Sequence, residues 1–318
     1  MRSVLSDSGW NAGHRSLERR TNKVAEQAIQ YHSAWSGIIA DDAAVSKLAS
    51  GFQFIEGPVW DSQRGLLFFS DIPANRIYCW SPQDGVQPFR EPSGNSNGLT
   101  LDRHGRLLAC EHGNRRVSVT EESGSVRTLV DRFEGKRLNS PNDIVVKSDG
   151  RVYFTDPPYG LSHPSEQELP YQGVYRYLPE SGAIELLCAE RNHPNGLCFS
   201  PDERVLYVDD SSSQDVFVYD VADDGIIRNG RLFARLDSSV GAGVPDGLKV
   251  DVRGNVYVTG PGGIWVLDSS GTALGVIRIP EVAANLSWGG EDNRTLFITA
   301  TTSLYKVETI NPGIPCGL

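Results

Sequence analysis

Two carboxylates and four carboxamides recur along this chain, each at the head of a similar phrase. They are Glu56 in Glu56-Gly57-Pro58-Val59-Trp60, Asn97 in Asn97-Gly98-Leu99, Asn142 in Asn142-Asp143-Ile144, Asn195 in Asn195-Gly196-Leu197, Asp246 in Asp246-Gly247-Leu248 and, more weakly, Asn285 in Asn285-Leu286-Ser287. The set holds no His and no Cys. Oxygen-only donors suit Ca²⁺, Mg²⁺ or Mn²⁺ rather than softer ions. Ca²⁺ is favoured because it tolerates irregular geometry, whereas Mg²⁺ demands near-ideal octahedral placement. The two carboxylates would offset a divalent charge, and the amide oxygens would add coordination without adding charge. Such an ion polarises a carbonyl or phosphoryl oxygen or acidifies a bound water. A carboxylate beside it can deprotonate that water. Asp246 is the better candidate base and Glu56 the more natural pure ligand; a site in which both only bind metal fits the residues as well.

The alternative is that these phrases are turns, since Asn-Gly and Asp-Gly are ordinary turn dipeptides. Turn chemistry does not explain why the phrase precedes the same kind of apolar strand each time. Other nucleophile systems are poorly represented. The histidines (His14, His32, His104, His112, His163, His193) lack ligand spacing. His104 falls in an expected turn. His112 ends a strand near the expected channel mouth, where a structural role is favoured over pocket lining.

The elements that must position these side chains are short and β-like. Leu66-Leu67-Phe68-Phe69-Ser70, Arg151-Val152-Tyr153-Phe154-Thr155 and Val205-Leu206-Tyr207-Val208-Asp209 mix β-branched, aromatic and aliphatic residues between turn residues. In each unit the polar residue leads into a strand, a turn follows, and a second strand ends in a small or acidic residue: Asp71, Glu111, Asp156, Asp210, Gly260 and Ala300. A third strand, a turn and a fourth strand complete the unit. A period of roughly 40–50 residues is that of one four-stranded propeller blade. The expected fold is therefore all-β, a six-bladed β-propeller over 46–318. A β-sandwich also strings short strands together, but the fixed order within each unit favours the propeller. A linear solenoid is disfavoured because no unit resembles a polar cap. The longest insertion follows Asp156, runs to Pro170 and is expected to lie over one face. Residues 1–45 differ in composition. Leu17 to Tyr31 is rich in Glu, Arg, Lys, Ala and Gln, which predicts a short helical extension outside the main fold, either a packing arm or an oligomer contact.

The chain has 318 residues and a formal charge of −10, which disfavours nucleic acid or an anionic membrane as partner. Its 5 cysteines form no C-x-x-C pair, so a reducing compartment is expected over a disulfide framework. No run of about 18 apolar residues predicts a membrane span. The N-terminus lacks the apolar core of a secretory signal, and a cytoplasmic location is the expectation.

The strongest phrases are Glu56-Gly57-Pro58-Val59-Trp60, Leu138-Asn139-Ser140-Pro141-Asn142-Asp143, Tyr153-Phe154-Thr155-Asp156-Pro157-Pro158-Tyr159-Gly160, Pro194-Asn195-Gly196-Leu197 and Pro245-Asp246-Gly247. Through them the chain resembles the family of gluconolactonases, regucalcin and the senescence marker protein, from about Phe52 to Val307. The Pro157-Pro158-Tyr159-Gly160 run looks like the bacterial sugar-lactonase branch. The resemblance implies one divalent cation in the central channel, held by Glu56, Asn195 and Asp246, with Asn142 at the metal or the substrate and Asp246 as general base. The metal differs among members, with Ca²⁺, Zn²⁺, Mn²⁺ and Fe²⁺ all represented. It also implies hydrolysis of aldonolactones such as glucono-1,5-lactone. The first 45 residues have no counterpart in the motif pattern, and the loop from Leu161 to Pro170 leaves substrate choice open.

The leading expectation is a metal-dependent lactonase acting on a small-molecule lactone or ester. Substrate hydroxyls would meet Asn97, Glu111, Asn142 and Tyr159. An esterase or phosphotriesterase on the same scaffold is the second reading. A non-catalytic Ca²⁺-binding propeller is the third. Oligomeric state is not readable from the sequence.

Overall fold

A computed structural model describes residues 28–40 and 42–316. Four-stranded antiparallel sheets repeat around one axis, each running in sequence order from an inner strand outward. The inner strands are Ile55–Asp61, Ser96–Leu101, Ile144–Val146, Pro194–Phe199, Leu248–Val250 and Ala283–Gly289. They open blades one to six. The propeller expected from the repeat is the fold observed.

Burial explains why the ring closes. Six hydrophobic clusters each join two neighbouring blades. Val59, Phe68 and Ile77 of blade one meet Leu99, Leu101 and Leu107 of blade two. Ile55, Leu67 and Phe69 of blade one meet Phe297 and Leu304 of blade six. Each sheet is therefore apolar on both faces, and no blade can bury its core alone. The register closes the circle: Ser46–Ser50 pairs antiparallel with Ser303–Glu308 as the outermost strand of blade six. An early segment thus completes the last blade.

The sequence predicted helix through Tyr31. Residues 17–27 of that prediction lie outside the described residues. The remainder is corrected by the structure: Ala28–Gln30 is a strand, paired with Ala273–Arg278 as a fifth strand of blade five. Ile29 packs there against the blade four–five core, a use for a β-branched residue that local composition does not reveal. A 3₁₀ turn, Ser33–Gly37, follows and buries Trp35.

Candidate metal centre and active site

The glycines of the repeated phrase show that it is not a set of turns. Asn97-Gly98, Asn195-Gly196 and the residues after them are strand, not loop. A Cβ on Gly57 would stand 2.1 Å from the Asn97 carbonyl oxygen, one on Gly98 2.5 Å from that of Asn142, and one on Gly196 2.2 Å from that of Asp246. Glycine is required because the next blade's backbone passes at contact distance. The same close approach brings the preceding polar side chains to one mouth of the channel.

Glu56, Asn97, Asn142, Asn195 and Asn285 are buried there, and Asp246 is half-buried. Asn285 Nδ2 donates to Glu56 Oε2 at 2.9 Å, and the Gly57 N–H also donates to that oxygen. Glu56 Oε1 is buried with no hydrogen-bond partner. Asn97 Nδ2 donates to Asn142 Oδ1 at 2.5 Å, and Asn97 Oδ1 has no partner. Asn195 Nδ2 donates to Ser211 Oγ at 3.0 Å, which leaves its amide oxygen free to coordinate. Burial first, and then the charge of Asp143, push the Glu56 carboxyl up to about 7. Burial also holds Asp246 well above the usual carboxylate range, with the charge of Glu56 next in importance. Two desolvated acids beside orphaned oxygens make a site that a cation would relieve. Among the described residues no three His, Cys, Asp or Glu side chains form a ligand cluster. The donors that fit a hard divalent ion are the two carboxylates with the amide oxygens of Asn142 and Asn195.

Three blades brace the segment that leads to the mouth residue. Asp71 accepts from the Gln53 and Phe54 N–H groups at 3.0 and 3.2 Å. Asp156 accepts from Asn139 and Ser140, both at 2.7 Å. Asp210 accepts from Asn192 and His193 at 2.8 and 3.3 Å. In each case the donors lie three and two residues before Glu56, Asn142 or Asn195. Burial pushes Asp156 up to about 7, against the pull of those two N–H donors.

Glu111 occupies the matching strand end in blade two but is not brought to the mouth ligands. Its carboxylate accepts from Arg90 at 2.9 Å, Arg116 at 2.6 Å, and Asn114 and Ser118 at 2.5 Å each. Both oxygens are consumed by blade two and by Arg90 from the outer strand of blade one. Tyr159 stands in the long insertion, 44% exposed, with its ring stacked on His193 at 5.5 Å between centroids. Burial pushes its phenol up to about 12, offset in part by a hydrogen bond with Ser211 and reinforced by the charge of Asp246. Those neighbours place the hydroxyl at the mouth.

His112, expected near the channel mouth with a structural role favoured, is buried with Nε2 3.3 Å from Asn97 Nδ2, and burial lowers it to about 4, so the neutral ring accepts from the amide. Other residues at the channel went unread in the sequence. Ser211 links Asn195 to the Pro245 carbonyl, to which it donates at 2.6 Å. Asp143, Asp209 and Lys249 lie deeper. A signal for Asp143 was available: it stands where four of the six phrases have glycine.

Inner strands that converge on a mouth lined by two acids and several amides define an enzyme-type propeller, with chemistry at one end of the channel. Residues 54–302 match the SMP-30/Gluconolactonase/LRE-like region. The chain belongs to that family. It is 36% identical to a gluconolactonase of Zymomonas mobilis over 290 residues, 83% of this chain and 81% of the relative. It is 27% identical to a pentonolactonase of Haloferax volcanii, over 77% of this chain and 80% of the relative. The solved structure of XC5397 from Xanthomonas campestris, described as a gluconolactonase, superposes with a TM-score of 0.82 at 33% identity, covering 89% of this chain and 95% of that one.

Proposed function

We propose that this chain is a lactonase whose substrate is an aldonolactone, and that it works with one divalent cation at the channel mouth and Asp246 as general base. Hydrolysis of a cyclic ester is the activity that its gluconolactonase and pentonolactonase relatives carry in their names. The observation that carries the metal reading is the acid pair of buried Glu56 and half-buried Asp246, with Glu56 Oε1 unpartnered and both carboxyls raised. Glu56, Asn142, Asn195 and Asp246 would hold the ion, and Ca²⁺ suits that oxygen set best. A bound cation supplies Lewis acidity toward the lactone carbonyl.

The residues do the rest. Asp246 is the half-buried member of the acid pair, so it can reach a water above the mouth. It takes a proton as that water attacks the lactone carbonyl carbon. The ring C–O bond then breaks, the proton passes to the departing alkoxide, and an open-chain hydroxy acid leaves. Asn97 and the Tyr159 hydroxyl stand at the rim, where sugar hydroxyls would find partners. Glu111 has no free oxygen for that task. The test is metal content of the purified protein, followed by hydrolysis of glucono-1,5-lactone with and without chelator. Hydrolysis is expected to vanish on metal removal and to return on adding Ca²⁺ or Mn²⁺. Undiminished turnover by fully stripped protein would sink the mechanism.

A further inference from the structure

Below the mouth, the channel holds charges that the reaction does not use. Asp143 is buried, with Oδ1 accepting from the Ile144 N–H at 2.9 Å and Oδ2 without a hydrogen-bond partner. Asp209 is fully buried in the next blade, with Oδ1 accepting from Gly196 at 3.2 Å and Oδ2 also unpartnered. One cation serves this region. Lys249 Nζ donates to the Leu248 carbonyl at 3.0 Å and lies 3.9 Å from Asp143 Oδ2. Its side chain is 21% exposed, and that exposure faces a cavity of about 350 Å³ lined by Val59, Thr100, Val146, Phe199 and Cys316. These residues follow the mouth residues along the inner strands or belong to the C-terminal tail. The cavity is therefore the opposite end of the channel, and Lys249 stands between it and the ligand ring.

Asp209 interrupts a pattern. The matching residue of the second strand is Ser70, Cys110, Thr155, Thr259 or Thr299 in the other blades, and the first four donate to a carbonyl of the following blade. Asp209 holds that place with burial raising its carboxyl well above the ordinary range. Asp143 is then the acid that Lys249 must balance, while Glu56 and Asp246 balance a divalent ion.

We propose that Asp143 and Lys249 form a positioning pair beneath the metal ring, in which the Lys249 ammonium stops Asp143 from acting as a third acidic ligand and confines the channel to one divalent ion at the mouth. The inference deepens the metal reading above and rests on it. Burial works against the ammonium, and the negative groups around it, Asp143 first, more than offset that loss. A cation is thus wanted at this depth, and the chain supplies it covalently. Removing it leaves Asp143 Oδ2 buried with neither a hydrogen-bond partner nor a counter-charge, one residue from Asn142.

The test is calorimetric titration of chelator-stripped full-length protein with Ca²⁺, for wild type, Lys249→Met, Asp143→Asn and the double variant. Wild type is expected to bind one ion. Lys249→Met should bind about tenfold more tightly or take up a second ion, Asp143→Asn should bind about tenfold more weakly, and the double variant should return to within about threefold of wild type. Lys249→Arg, which keeps the charge, should behave as wild type, and it covers the case in which Lys249→Met fails to fold. Single variants within threefold of wild type, or a Lys249→Met protein that binds Ca²⁺ more weakly than wild type, overturn the pair. Thermal melts of the same proteins without metal separate the two readings. Each single variant should melt lower and the double variant should recover most of the loss. If wild type binds no ion, the metal reading fails while the melts still judge the pair; additive losses in the melts overturn it.

Discussion

Blades one, three and four differ from blade five in how they present their polar residue. In the first group a buried aspartate at the end of the second strand grips the two N–H groups that precede the ligand. In blade five that strand ends at Gly260, and the approach to Asp246 carries no carboxylate brace. The Thr259 hydroxyl accepts from the Asp246 and Gly247 N–H groups at 3.1 Å each, and Ser211 donates to the Pro245 carbonyl at 2.6 Å. Glu56, Asn142 and Asn195 are thus fixed from behind by a carboxylate, whereas Asp246 lacks that brace and is the one partly buried member of the set. A ligand gains from rigidity. A base that must meet a water and then release its proton gains from reach. That contrast is what the proposed division between holding and reacting would need from the blades behind the side chains.

The largest effect should come from the unbraced side. Asp246→Asn keeps the size of the side chain and removes the base, so kcat should fall by about 10³-fold or more while lactone KM changes little. Steady-state kinetics at saturating Ca²⁺ reads this. Retention of even a tenth of wild-type kcat would assign the base elsewhere.

Next comes the braced side. Asp156→Ala orphans the Asn139 and Ser140 N–H groups in the interior and should cost about 2–4 kcal/mol of stability, visible in denaturant unfolding, with weaker metal binding at Asn142. Asp156→Asn keeps one acceptor oxygen and should lose about half as much. Equal effects from the two variants would show that the brace does not work through its acceptors.

Proton linkage gives a third distinction. Glu56 and Asp156 both rise to about 7 in the fold. The native state therefore keeps protons that the unfolded chain has lost. Stability of the metal-free protein should fall as pH rises from about 4 to about 7, by at most about 1.4 kcal/mol per pH unit for each proton. Ca²⁺ requires the ionised forms of both Glu56 and Asp246, so its affinity should climb as pH rises through that window. Melting curves at fixed pH, with and without Ca²⁺, read both trends. A metal-free protein that gained stability over that window would contradict the burial argument.

Smaller effects separate the rim from the frame. Glu111→Gln should lower the melting temperature by loosening Arg90 and Arg116, with lactone KM within about twofold of wild type. Tyr159→Phe should do the reverse, raising KM by about two- to fivefold with an unchanged melting temperature.

The ring of Glu56, Asn97, Asn142, Asn195, Asp246 and Asn285 was legible because the blade repeat carries it, and the repeat is a local pattern. What the sequence could not reveal depends on direction and distance. Asp71, Asp156 and Asp210 were visible as acidic strand ends, but their partners are backbone N–H groups, which have no letter in the sequence. Glu111 shares their position and has a different fate, because Arg90 and Arg116 from neighbouring strands reach it first. Ala28–Gln30 sits in a stretch of helix-forming composition, yet it pairs with a strand of blade five nearly the whole chain away. Lys249 reads as one more charge after a Gly-Leu pair. Only the inward turn of the inner strand puts its ammonium in the channel.

The pairing of Ser46–Ser50 with Ser303–Glu308 has a consequence for how the molecule comes into being. During synthesis the early strand leaves the ribosome long before its partner exists. It must remain unpaired, with an open edge, until blade six emerges. Contacts so distant along the chain make ring closure a late and slow event. The mouth exists only once the circle is complete, so a half-made chain offers a cation isolated oxygens rather than a site.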